Sequence, residues 1–101
     1  MKILAYGVGP VEINAFNEFS EKYGHEVTRL SENFGPDTAH LAKGYGGIST
    51  FGTCNVNRQA LEEVSKYGIK YIAQRTSGYN NIDVEAAKEL GFKVSNVPAY
   101  S

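Results

Sequence analysis

The segment Arg75-Thr76-Ser77-Gly78-Tyr79-Asn80-Asn81-Ile82-Asp83 sets a glycine among polar side chains directly after an apolar run. Glycine lets backbone N–H groups approach a small ligand closely, and successive amides in such a turn form an anion-binding concavity suited to a carboxylate. The plainer reading makes Gly78 a permissive turn residue and Asp83 the cap of the next helix. A glycine pair, Gly7-Val8-Gly9, follows another apolar run and has the beginning of a dinucleotide fingerprint. Glu12 stands where the third glycine belongs, and a carboxylate there faces a pyrophosphate with the wrong sign. A strand-to-helix turn with Pro10 at the first helical position accounts for the same residues.

The remaining candidates for chemistry are thin. Cys54 is the single cysteine, so no internal disulfide or multi-cysteine metal cluster forms within one chain. It has no histidine near it in sequence and reads as a small, partly buried residue. His25 and His40 are too far apart in unrelated sequence for a ligand pair, and both read as solvated or locally hydrogen-bonded. Glu62, Glu63 and Lys66 form a solvated helix face. The formal net charge is -1, and the seven tyrosines and five phenylalanines have no basic stripe beside them. A nucleic-acid role therefore lacks both its electrostatics and its stacking platform. No apolar run approaches the ~20 residues needed to cross a bilayer, and Met1 to Pro10 lacks the pattern of a secretory leader, so the chain reads as cytoplasmic.

These residues need a frame to hold them. Candidate strands begin near Lys2, His25, Gly47, Ile69 and Phe92, at intervals of 23, 22, 22 and 23 residues. That beat is the length of one strand, one turn and one short helix. Helical spacing fills the gaps: Ala15, Phe16, Phe19 and Tyr23 share a face, as do Leu61, Val64 and Tyr67, and then Ala87 and Leu90. Asp37 and Asp83 suit N-caps, and Gly24, Gly44, Gly68 and Gly91 sit where helices would end. Ile3 to Tyr6 and Tyr71 to Ala73 are nearly continuous apolar runs, as buried parallel strands require, whereas His25 to Leu30 alternates and suits an edge. The chain, 101 residues long, is predicted to be a single α/β domain. Its expected frame is a doubly wound, five-stranded parallel sheet in the flavodoxin-like order 2-1-3-4-5.

Right-handed crossovers put the first helix on one face and the next three on the other, so a helix after strand five is needed to complete the first face. The chain ends at Ser101 before one. Apolar side chains of strands three to five are therefore expected to be covered by further sequence or by self-association, as in a dimer. Phosphoacceptor chemistry is disfavoured because Gly7 and Phe51 occupy the strand ends where it needs clustered acids.

The run Lys70 to Asp83, followed by Glu85-Ala86-Ala87-Lys88-Glu89-Leu90-Gly91 and Ser95-Asn96-Val97-Pro98-Ala99-Tyr100-Ser101, resembles the NAD-dependent D-2-hydroxyacid dehydrogenases, in particular the D-lactate dehydrogenase branch. Met1 to Gly7 fits that branch too. The resemblance implies a truncated substrate-binding domain over residues 1–101, ending at the hinge into a Rossmann domain that is absent from the chain. It implies that the backbone amides around Ser77 and Gly78 bind the substrate carboxylate. Tyr100 would lie against the substrate near the interdomain cleft, and Phe51 would shape the side-chain pocket. The partner is a small 2-keto or 2-hydroxy carboxylate, pyruvate or a bulkier acid. In that family NAD and the histidine, glutamate and arginine of the reaction belong to the Rossmann domain. The resemblance thus implies no catalytic, cofactor-binding or metal-binding residue in this chain, and an isolated chain that is inert. A stand-alone flavodoxin-like binding or self-association module is the competing expectation.

Overall fold

In the computed structural model, residues 2–9, 26–75 and 80–96 are described. Five strands, β1 (Lys2–Ala5), β2 (Glu26–Arg29), β3 (Gly47–Thr50), β4 (Tyr71–Gln74) and β5 (Lys93–Asn96), form one parallel sheet in the order β2-β1-β3-β4-β5. The expected order is the observed one. Strand β2 lies at the rim, and of its side chains only Val27 is half-buried. The predicted first helix, with Pro10, Ala15, Phe16, Phe19, Tyr23 and Gly24, lies outside the described residues, as does His25.

A 3-10 helix (Ala39–Ala42) and two α-helices, α1 (Arg58–Lys66) and α2 (Val84–Glu89), follow β2, β3 and β4. Asn57 opens α1 by accepting a hydrogen bond from the Ala60 amide at 2.9 Å, and Asp83 opens α2 by accepting from Ala86 at 3.0 Å. Asp37 does not cap the 3-10 helix. It is exposed, and Thr38 precedes the helix instead, with its hydroxyl spent on the turn: it donates to Asn33 O at 2.7 Å and accepts from the Gly35 amide at 3.1 Å. Gly44, Gly68 and Gly91 follow the three helices with φ of 94°, 85° and 80°, the left-handed conformation that lets the chain turn back into the next strand. The strands after α1 and α2 start at Tyr71 and Lys93, because Ile69 and Phe92 pack into the core as the chain enters the sheet.

Parallel register divides the strand residues between two faces. On one, Leu4, Ile48 and Ile72 meet Ala39, Ala42, Ala60, Leu61, Val64, Ala86 and Ala87 in a single buried cluster. Small alanines on the helices let them approach the strands closely, while Leu61 and Val64 of α1 add branched side chains to those of the sheet. The opposite face reads Ile3 and Ala5 on β1, Gly47 and Ser49 on β3, Tyr71 and Ala73 on β4, and Lys93 and Ser95 on β5. This corrects the expectation of an apolar face on strands three to five: among the described residues there, only half-buried Tyr71 is large and apolar in body, and Lys93 is exposed. A face of small and polar side chains supplies little of the ~25 cal/mol per Å² that would drive self-association through it. No helix of the described residues is long and apolar enough to cross a membrane.

The core is closed at the sheet's carboxyl end by Tyr6, which is fully buried. Its ring meets Phe34 edge to face, with centroids 4.9 Å apart, and its hydroxyl donates to Thr38 O at 2.8 Å. Burial raises the Tyr6 pKa well above the ordinary phenol value, reinforced by Cys54, Tyr67 and Tyr45. Because the folded state holds this proton more tightly than the unfolded chain, its contribution is complete below pH ~10 and declines as pH rises further. Urea denaturation across that range is expected to show stability falling with pH. Tyr6→Phe is expected to flatten that fall and to cost about 1 kcal/mol at neutral pH through the lost hydrogen bond; an unchanged slope would rule out Tyr6 as the source.

Candidate functional site

In an open α/β sheet, ligands approach beyond the carboxyl ends of the strands. In this chain that end is built from the turns after β1, β3 and β4, and two buried polar side chains tie them together. Arg75 follows β4 and is 4% exposed. Its Nη1 donates to Ser49 Oγ at 2.9 Å, and its Nη2 donates to Tyr6 O at 2.6 Å and Gly7 O at 3.2 Å. One guanidinium thus joins the ends of β1 and β3 to its own strand, which a planar fork with several donors can do and an ammonium cannot. The Phe51 ring lies over the same group, its centroid 5.5 Å from Arg75 Cζ, within cation–π range.

The second tie is Gln74, fully buried at the end of β4. Its Oε1 accepts from the Thr50 hydroxyl, and its Nε2 donates to Asn81 Oδ1 at 2.6 Å. Asn81 then donates through Nδ2 to Phe51 O at 2.9 Å and Cys54 O at 3.1 Å. Backbone bonds reinforce the connection: Val56 N donates to Asn81 O, and Asp83 N donates to Val56 O. The turn after β3 is therefore fastened to both flanks of the polar segment that follows β4.

Of the residues expected in the site, Phe51 is found here, half-buried at the end of β3. Ser77, Gly78 and Tyr100 lie outside the described residues. The described anchors Arg75 and Asn80–Asn81 bound the segment that contains Ser77 and Gly78. Cys54 is buried, and its Sγ accepts from the Phe34 amide at 3.2 Å and the Phe51 amide at 3.4 Å, so the thiol serves as a turn acceptor. His40 is exposed, and no group of three or more potential metal-ligating side chains occurs among the described residues.

The loop after β1 does not suit a pyrophosphate. The Gly7 amide donates to Glu32 O at 2.7 Å and the Val8 amide to Leu30 O at 2.9 Å, so donors a phosphate would need are already engaged. Gly7 has another reason to be glycine: its φ is 65°, and a Cβ there would sit 2.7 Å from Asn33 Oδ1. A cleft of about 310 Å³ lined by Lys2, Glu26, Thr28, Lys43, Gly44 and Tyr45 opens toward the other end of the sheet, away from these turns.

Thr50, Gln74, Arg75 and Asn81 did not stand out individually in the sequence. The available signal was that Gln74 and Arg75 end a strand whose preceding residues are apolar, since polar side chains carried into a core are informative. Their partners lie 7 to 69 residues away, beyond any local pattern.

This architecture defines an α/β domain with polar, mutually bonded turns at the carboxyl end of a parallel sheet. The chain belongs to the D-isomer specific 2-hydroxyacid dehydrogenases, matching the family's catalytic domain over residues 3–101. It is 61% identical over 101 residues to an aromatic 2-oxoacid reductase of Clostridium sporogenes, covering 100% of this chain and 30% of that protein. It is 38% identical over 101 residues to a D-2-hydroxyacid dehydrogenase (NAD+) of Lacticaseibacillus paracasei, again covering 100% of this chain and 30% of the relative. The apo-structure of D-lactate dehydrogenase from Escherichia coli superposes with a TM-score of 0.92 at 37% identity, covering 97% of this chain and 31% of that one. The chain thus spans about three tenths of the length of these relatives.

Replacing Arg75 tests the first tie. Arg75→Met keeps much of the stem but leaves Tyr6 O, Gly7 O and Ser49 Oγ without their charged donor, a loss expected to be about 3 kcal/mol in urea denaturation. Arg75→Lys is expected to recover only part of it, because one ammonium cannot reproduce the fork. A loss below ~1 kcal/mol for the Met variant would show that the guanidinium does not hold the three strand ends together.

Proposed function

We propose that these residues form the N-terminal part of the substrate domain of an NAD-dependent D-2-hydroxyacid dehydrogenase that reduces a 2-oxoacid with a bulky, aromatic side chain. The observation that carries this reading is the family match across nearly the whole chain. The aromatic preference draws support from the 61% identity to the Clostridium sporogenes reductase.

In this reading the backbone amides around Ser77 and Gly78 receive the substrate carboxylate. A carboxylate held by N–H groups needs no basic side chain, which suits the chain's near-neutral charge. The Tyr100 hydroxyl hydrogen-bonds the substrate, and Phe51 forms one wall of the side-chain pocket. NADH, held by residues outside this chain, supplies the hydride that reduces the C2 carbonyl to the D-hydroxy acid. The residues of this chain orient the acceptor carbon and exclude water from it, a contribution that acts through geometry. The proton donor also lies outside this chain, so the 101 residues alone are expected to bind the acid without turning it over.

The test is to express the full-length protein that carries these residues and follow NADH oxidation with phenylpyruvate and with pyruvate. Turnover of both is expected, with the higher kcat/KM for phenylpyruvate. A folded protein that binds NADH and reduces neither acid would overturn the assignment, and a preference for pyruvate would overturn the aromatic pocket. In the 101-residue chain, backbone amide NMR during a phenylpyruvate titration is expected to shift Ser77, Gly78 and Tyr100 together.

A further inference from the structure

The amide network at the end of β3 and β4 has only one consistent direction. The carbonyl oxygens of Phe51 and Cys54 can only accept, so Asn81 must turn Nδ2 toward them and Oδ1 toward Gln74. Gln74 must then present Nε2 to Asn81 and Oε1 to the Thr50 hydroxyl. Gln74 and Thr50 are fully buried, so reversing either amide would set like against like where water cannot compensate. The chain of bonds begins inside the sheet and ends on the backbone of the turn that carries Phe51.

That turn is also held from the Phe34 side, where the Asn55 amide donates to Phe34 O at 2.7 Å and Cys54 Sγ accepts from the Phe34 amide at 3.2 Å. Among the described residues the Phe51 amide reaches only a weak sulfur acceptor, Cys54 Sγ at 3.4 Å, and the Cys54 amide closes the turn on Phe51 O at 2.9 Å. Thr53 lies on its exposed side, bonded to Asn33 Oδ1 at 2.7 Å. Asn81 grips two of the turn's carbonyls at once, Phe51 O and Cys54 O. In sequence it lies three residues beyond Gly78.

We propose that Asn81 is a positioning residue for substrate selection: anchored to the sheet through Gln74 and Thr50, its side-chain amide fixes the Phe51 turn and so sets which 2-oxoacid side chains the pocket prefers. The inference rests on the reading of Phe51 as a pocket wall. Asn81 touches no substrate; it acts through the placement of Phe51. Asn81→Asp is nearly isosteric but replaces the two donated hydrogens with an acceptor, which repels both carbonyls and releases the turn. Thr50→Val keeps the β-branched shape and removes only the hydroxyl that anchors Gln74 Oε1, whereas Thr50→Ser keeps the hydroxyl.

The readout is the ratio of kcat/KM for phenylpyruvate to kcat/KM for pyruvate in the full-length protein. A ratio taken on one preparation is independent of the fraction of active protein, so a purely structural role leaves it unmoved. Phe51→Ala sets the scale and is expected to lower the ratio at least ~10-fold, as loss of a pocket wall does. Asn81→Asp is expected to lower it ~10-fold, Thr50→Val ~3-fold, and Thr50→Ser to stay within ~2-fold of the unsubstituted protein, with KM for NADH unchanged in all. If Phe51→Ala lowers the ratio while Asn81→Asp and Thr50→Val leave it within ~2-fold, the positioning role is overturned and the pocket reading survives. If Phe51→Ala leaves the ratio unchanged, the pocket reading fails and this inference fails with it. Should Asn81→Asp not fold, the contrast between Thr50→Val and Thr50→Ser decides.

Discussion

The buried guanidinium of Arg75 is the constraint on which the functional end of this domain depends. A cation that is 4% exposed must be met by oriented oxygen atoms, and here two of them are the carbonyls of Tyr6 and Gly7 at the end of β1. Holding those carbonyls toward Arg75 fixes how the chain leaves β1. Gly7 then takes φ of 65°, and its amide turns to Glu32 O. The third oxygen, Ser49 Oγ, explains why a small hydroxyl replaces an aliphatic side chain within β3. A single buried charge thus dictates a glycine, a serine and the course of two turns. The ends of β1 and β3 are thereby tied to the end of β4 by hydrogen bonds within the chain itself.

The two faces of the sheet express different physical demands. Leu4, Ile48 and Ile72 meet three helical segments and carry the hydrophobic stabilisation. On the other side Ala5, Ser49 and Ala73 are buried but small, and Arg75 continues their row. Small side chains leave room for the long arginine stem to run along the sheet and for its head to reach the neighbouring strand ends. The expectation of an apolar face on strands three to five failed because it treated every interior strand as uniformly apolar, when the polar requirement of Arg75 shapes half of the residues around it.

Features governed by local chemistry were legible in the sequence. The strand order followed from the beat of the apolar runs and the alternating edge strand, Asp83 was readable as a cap, and Gly44, Gly68 and Gly91 as helix ends. These depend on a few neighbouring residues. Asn57 caps α1 by the same chemistry as Asp83 without standing out in the sequence, and Asp37 gives way to Thr38, whose hydroxyl is engaged in its own turn. At the candidate site Phe51 was found through resemblance, while the Thr50–Gln74–Asn81 network was not. Its members are separated by 24 and 7 residues and become partners only when β3 and β4 pair in register.

That separation has a functional consequence under the proposed reading. The carboxylate is common to every 2-oxoacid, and backbone amides can serve it whatever side chains surround them. The remainder of the substrate varies, and contacts to it fall to side chains such as Phe51 on a turn held by other side chains. Backbone recognition of the shared group and side-chain control of the variable group place the two demands on different physical elements. A substitution in the buried amide network can then alter discrimination between acids without removing the donors that bind all of them. Placing selectivity in a network tied to strand pairing also gives it the stability of the sheet, since the register of β3 on β4 sets Thr50 directly beside Gln74.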